Sequence, residues 1–249
     1  MKGINKAHLI GSVAREPLFS YTPQGVAVLE LTAANRLAFP TVTGTVERNS
    51  YTRVKLFGSY GERLAPNIAA GKVVEIFGRV ESNHVKDENG RYNEYVVVIA
   101  DTLLTLADSF SFVHDSKGQP VLQGGINRIT LGGNVARGVY RQTTLSGEPA
   151  IRFTLAVDEA LQGREGRVNF LRVNARGDLA TRAAGATQGT PLIVSGRLLT
   201  DAYTLPEGER AYTTYVAAEA LNVVEYASGV TRAARVQAPL LETDSAQAA

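Results

Sequence analysis

Between residues 51 and 57 the chain alternates strictly. Thr52, Val54 and Leu56 fall on one side, and Tyr51, Arg53, Lys55 and Phe57 on the other. Successive side chains of a strand point to opposite faces, so this stretch predicts a half-buried β-strand. Its outer face interleaves aromatic rings with cations, where a solvated face ordinarily carries small polar or mixed-charge residues. The pattern returns at 170–176, with Leu171, Val173 and Ala175 inward and Phe170, Arg172, Asn174 and Arg176 outward. Rings offer π-faces to bases and cations neutralise phosphates, a combination that suits single-stranded nucleic acid.

The recurrence extends along the chain. Ile4-Asn5-Lys6 through Gly11-Ser12-Val13-Ala14-Arg15 matches Ile126-Asn127-Arg128 through Gly133-Asn134-Val135-Ala136-Arg137, an offset of 122 residues. Arg53 matches Arg172 at 119, Gly78-Arg79-Val80 matches Gly196-Arg197-Leu198 at 118, and Tyr92 to Val96 matches Tyr212 to Val216 at 120. A repeat this long is a duplicated whole domain. In the first copy the pattern predicts strands at 6–13, 26–35 and 51–57, a helix over 59–70, and strands at 72–82 and 91–106. A turn-rich stretch follows the first strand, and a loop over 36–49 leads into the third. The second copy predicts strands at 126–135, 150–157 and 168–176, a helix over 178–186, and strands at 191–200 and 211–225. Three strands, a helix, then two strands is the order of the OB-fold, a five-stranded Greek-key barrel. The expected fold is therefore all-β, with tandem OB-folds at 1–107 and 126–227. A linker at 108–125 reads equally as a small hairpin or an irregular connector, and a weakly ordered tail is expected at 228–249.

Composition narrows the class. The chain has 249 residues, 44% of them hydrophobic, which fits two globular domains. There is no cysteine, so disulfides and thiolate metal sites are excluded. No apolar run approaches the roughly 20 residues that span a bilayer. The N-terminus lacks a signal-peptide pattern, so a cytoplasmic location is expected. The net charge of +2 says little about partners; the placement of charge says more. Every basic residue after Lys117 is an arginine, which can stack on bases as well as pair with phosphate.

The motifs Ile4-Asn5-Lys6-x-x-Leu9-Ile10-Gly11, Tyr21-Thr22-Pro23-x-Gly25, Tyr51-Thr52-Arg53-Val54-x-Leu56-Phe57-Gly58 and Arg91-Tyr92 before Tyr95-Val96-Val97 resemble the bacterial single-stranded DNA-binding protein family. The second copy resembles it through Arg172-Val173 and Gly208 leading to Tyr212-Thr213-Thr214. Most such proteins carry one barrel per chain and form tetramers. This chain is similar to the fused two-barrel type, which reaches four barrels as a homodimer. The resemblance implies sequence-independent binding of single-stranded DNA in replication, recombination or repair, with no cofactor and no enzymatic activity.

It also implies stacking positions. They fall on Tyr51 and Phe57 in the first copy, and on Phe170 in the second, where Arg176 replaces the other ring. The loop ring after the second strand falls near Ala38 and Phe39. The ring after the fourth strand falls on Val85 in the first copy, a loss, and on Tyr203 in the second. The candidate set is completed by Arg53, Lys55 and Arg172 on the same faces, and by Arg91, Tyr92, Arg210 and Tyr212 opening the fifth strands. Arg79 and Arg197 follow one repeated glycine; they read either as strand contacts or as solvated charges. Tyr92 and Tyr212 read either as ligand contacts or as structural hydrogen-bonders, and Lys6 and Arg128 as subunit or phosphate contacts. The family usually closes with an acidic tail and an aromatic tip that recruits other proteins. Here residues 242–249 hold only Glu242 and Asp244, without a terminal aromatic, so recruitment by that route is not expected.

His8, His84 and His114 are scattered, without metal-ligand spacing, and the second copy has none. His114 beside Asp115 is a loop pair and not a catalytic triad. Two other classes fit the residues: an OB-fold module that assembles with replication or recombination proteins, and an RNA-binding OB protein.

Overall fold

A computed structural model describes residues 3–41, 44–86, 92–144, 147–159, 166–204, 208 and 210–224. The first copy contains β1 (Ile4–Val13), β2 (Leu18–Tyr21), β3 (Ala27–Thr41), β4 (Gly44–Phe57), β5 (Val73–Lys86) and β6 (Tyr92–Leu106). Helix α1 (Ser59–Leu64) lies between β4 and β5. β1 pairs with β5 and, at Ser12 and Val13, with β3; β3 pairs with β4; β4 runs parallel to β6 at Val54 and Lys55; β6 pairs with β5. That circuit closes a five-stranded barrel. The second copy repeats it with β9 (Ile126–Thr143), β10 (Pro149–Glu159), β11 (Arg167–Arg176), β12 (Pro191–Thr204) and β13 (Arg210–Val223), and with α2 (Asp178–Arg182) between β11 and β12. The chain is a tandem of OB-folds.

The inward positions read from the period of two are buried in both barrels: Ala7, Leu9 and Val13 on β1, Leu29 and Leu31 on β3, Thr52, Val54 and Leu56 on β4, and Leu171, Val173 and Ala175 on β11. The cores join. β1 pairs antiparallel with β9 from Ile4 opposite Gly132 to Ile10 opposite Ile126. One continuous run of strands, β6-β5-β1-β9-β12-β13, therefore crosses from one barrel to the other.

One backbone device recurs. At Gly78 and Gly196 the ladder to the last strand shifts register. A Cβ would lie 2.1 Å from the Ile99 oxygen at Gly78 and 2.0 Å from the Ala217 oxygen at Gly196. Only glycine lets the bulged strand approach its neighbour so closely.

Four expectations change. Residues 36–41 and 44–49 of the expected loop are strand; β3 and β4 stay paired as far as Thr41 opposite Gly44. That extension leaves the barrel and has no continuous buried face, so no hydrophobic period marks it. The first helix stops at Leu64 and a 3-10 turn covers Ala65–Asn67, because Pro66 has no N–H to continue the ladder. The second helix stops at Arg182, and Ala183 and Ala186 turn into the core instead. The last strands match at an offset of 118 and not 120: Val98 faces Val54 where Val216 faces Val173. A slip of two residues keeps every side chain on its face, so alternation cannot detect it.

The segment between the barrels contains β7 (Phe112–His114) and β8 (Pro120–Gln123), an antiparallel pair. Asp115 Oδ1 accepts from the Lys117 and Gln119 amides at 2.8 and 2.9 Å and builds the turn. β8 runs parallel to β3 at Asn35 and Arg36, burying Val121 and Leu122. The expected weakly ordered tail at 228–249, with its acidic residues, lies outside the described residues.

Candidate nucleic-acid interface

β4 is held by β3 on one edge and β6 on the other, so its outward residues stand on a rigid floor. Phe57 is 42% exposed and Arg53 is exposed. Lys55 Nζ lies 2.7 Å from Glu30 Oε1 on the neighbouring strand. Tyr51 is only partly exposed. Its hydroxyl donates to Asp115 Oδ2 at 2.7 Å, and its ring packs with Val113 against Ala14, Ala34 and Val121. Burial, then the bond to Asp115, pushes the Tyr51 phenol up to about 12, and the same bond holds the Asp115 carboxyl below its usual range.

Sequence reasoning left Tyr95 out of the candidate set. The Arg53 guanidinium carbon sits 4.9 Å from the centroid of this ring and Lys55 Nζ 5.5 Å from it. Tyr95 and Arg53 line a cleft of about 250 Å³ with Arg15, Glu16, Leu18, Glu30 and Thr32. The available signals are its place in the Tyr95-Val96-Val97 motif and a ring following polar residues where β6 begins.

On β11, Phe170 is half-buried, and Arg172 and Arg176 are exposed. Arg172 donates to Thr213 Oγ1 and lies 2.9 Å from Glu94 Oε2 of the other barrel. Thr213 occupies the place that Tyr95 holds in the first barrel, because the last strands align at 118. Tyr203 and Tyr212 are 48% and 63% exposed on the β12–β13 hairpin, and Arg210 is exposed at its end. Val85 lies on β5 opposite Asn93. Tyr92 opens β6 opposite Lys86, and Arg91 lies outside the described residues.

Besides Arg172, three candidates serve the junction between barrels: Phe39, Arg197 and Arg79. Arg197 stacks over Phe39, 4.6 Å from the ring centroid, and donates to the Ala38 carbonyl at 2.8 Å. Arg79, its equivalent, meets Asp101 at 3.0 Å, Glu81 at 3.2 Å and Glu159 of the second barrel at 3.5 Å. Burial pushes the Glu159 carboxyl up, and Arg79 opposes that rise. The solvated-charge reading of both arginines is thus corrected: each bridges the two barrels. Among the described residues no three acidic or histidine side chains gather as a metal site, and no helix is long and apolar enough to cross a membrane.

Residues 4–106 and 126–224 each match the model of the single-strand binding protein family. The chain belongs to that family. The single-stranded DNA-binding protein of Thermus thermophilus is 37% identical over 219 residues, spanning 87% of this chain and 83% of that protein. That of Thermus aquaticus is 33% identical over 246 residues, spanning 97% and 92%. That of Deinococcus radiodurans is 29% identical over 258 residues, spanning 99% and 85%. The crystal structure of the wild-type Thermus aquaticus protein superposes with a TM-score of 0.72 at 28% identity, covering 93% of this chain and 98% of that one. The similarity to these family members therefore extends through both barrels and the segment between them.

Proposed function

We propose that this protein binds single-stranded DNA without sequence preference and protects it during replication, recombination or repair. The observation that carries the proposal is the outer face of β4, where exposed Phe57 stands beside exposed Arg53 while the alternate residues Thr52, Val54 and Leu56 are buried. A flat ring accepts any base, and a neighbouring guanidinium accepts any phosphate. Phe170 and Arg176 supply the matching face of β11, where Arg172 is paired with Glu94, and Tyr203, Arg210 and Tyr212 extend it along the β12–β13 hairpin. The role is one of binding, without catalysis, and it places the protein beside DNA in the cytoplasm.

On this reading a homodimer presents four barrels. The outer face of the shared sheet supports that assembly. His8 stacks on Phe77 at 4.4 Å, Phe77 and Leu104 are 41% and 45% exposed, and Ile10 and Ile126 lie partly exposed on the same face.

Titration of oligodeoxythymidine against duplex of equal length, at two salt concentrations, tests the function. Preference for the single strand, weakening with salt, is expected; equal affinity for duplex would sink it. Competition with oligouridine separates DNA from RNA as ligand. Native mass of the free protein tests the dimer.

A further inference from the structure

The two rings nearest the centre of the first barrel's cationic face are not equivalent. Tyr51 is engaged from outside its barrel: the β7–β8 hairpin covers it, and its hydroxyl is held by Asp115. The cleft that Tyr51 borders, about 550 Å³, is walled by His114, Asp115 and Lys117 of the hairpin and its turn, so a base reaching this ring would meet the hairpin too. Tyr95 has no such cover. It borders an open cleft, and Arg53 and Lys55 lie over it within 5.5 Å. Arg53 has no carboxylate partner among the described residues, and Leu18, 67% exposed, forms an apolar wall.

We infer that Tyr95 and Arg53 form a subsite on the first barrel for one nucleotide of single-stranded DNA, with the base on the Tyr95 ring and its phosphate on Arg53, while Lys55, paired with Glu30, closes the far side of the ring. The inference rests on the function proposed above. A guanidinium and a phenol are both planar, so a base can enter between them when Arg53 lifts. The second barrel has no copy of this subsite. Thr213 stands where the ring would be, and Arg172 is bonded to Thr213 and to Glu94. The first barrel thereby gains a contact that sequence repetition does not give the second.

The test uses the full chain and an oligodeoxythymidine carrying 5-iodouracil. Irradiation of the wild-type complex is expected to crosslink Tyr95; a crosslink confined to other rings overturns the inference without any variant. In equilibrium titrations Tyr95→Ala is expected to weaken binding about ten-fold, within the range for one lost stacking ring. Tyr95→Phe, which keeps the ring, and Tyr51→Phe, which frees the hairpin, are expected to bind like the wild type. Tyr95→Ala binding as tightly as the wild type, with its melting temperature unchanged, also overturns it. A wild-type protein that fails to bind the oligonucleotide at all would sink the proposed function itself, a different result.

Discussion

Arg48 and Arg167 are the same position in two copies, and each crosses to the opposite barrel. Arg48 leaves β4, donates to the Thr200 carbonyl at 2.9 Å and pairs with Asp201 on β12. Arg167 leaves β11, donates to the Ser82 carbonyl at 3.1 Å, pairs with Glu81 at 3.0 Å and bonds to Asn83 on β5. Asn5 and Asn127 follow the same symmetry. Asn127 Nδ2 donates to the Leu198 carbonyl and its Oδ1 accepts from the Leu198 amide, both at 2.9 Å. Asn5 does the same at Val80, at 2.8 and 2.9 Å. The β1–β9 seam is therefore braced on both sides by related contacts.

Removing a cross-barrel arginine should loosen the pair of barrels. Both side chains are more than a third exposed, so screening limits each to about 1 kcal/mol. Urea unfolding of Arg48→Ala, Arg167→Ala and the double variant measures this. The losses are expected to add to within about 0.5 kcal/mol, since the residues share no partner.

Asn127→Ala is expected to cost more, about 1–3 kcal/mol, because it leaves the buried Leu198 amide without its side-chain acceptor and the Leu198 carbonyl with only the long Ser50 hydroxyl bond. Asn5→Ala should cost less, since Asn5 is the more exposed of the two. Equal urea midpoints for wild type and Asn127→Ala would contradict the pairing.

Gly196→Ala should be poorly tolerated. The added methyl would collide with backbone, at the Ala217 carbonyl, and not with a side chain that can rotate away. A loss of about 2 kcal/mol or more follows from overpacking at a fixed bulge. Thermal denaturation checks it, with Gly185→Ala as a control, because nothing lies near a Cβ there.

The Tyr51–Asp115 bond gives stability a pH signature. Tyr51's folded pKa is raised, so its contribution is full below about pH 10 and is lost as pH rises toward about 12. Asp115's is lowered, so its contribution is present above the ordinary aspartate value and is lost as pH falls through the folded one. Melting temperatures of wild type and Tyr51→Phe across pH should converge at the alkaline end. Parallel curves up to pH 12 would refute the bond.

Arg53 and Arg79 should separate in their salt dependence. Arg53→Ala is expected to reduce the slope of log K against log salt by about 1, as for one lost phosphate contact. Arg79→Ala should leave the slope unchanged and lower stability, since three carboxylates already surround its charge.

The sequence by itself determined the barrels. Alternation of Val54 and Leu56 with Arg53 and Lys55, and again of Leu171 and Val173 with Arg172, settles which face is buried, because a strand's period is fixed by its backbone. The helix between the third and fourth barrel strands, the duplication and the cationic outer faces follow from the same local rules. Tertiary structure alone decided what each outward residue meets. Arg79 and Arg197 read in the sequence as strand contacts or solvated charges, and Arg48 stands out in no way, yet each also reaches a partner more than 75 residues away, across a seam that no local pattern encodes. The role of Tyr51 depends on a hairpin 64 residues further along. That Thr213 stands in the second barrel where Tyr95 stands in the first depends on a slip of two residues in the last strand, which keeps inward residues inward and so leaves no trace in hydrophobic periodicity.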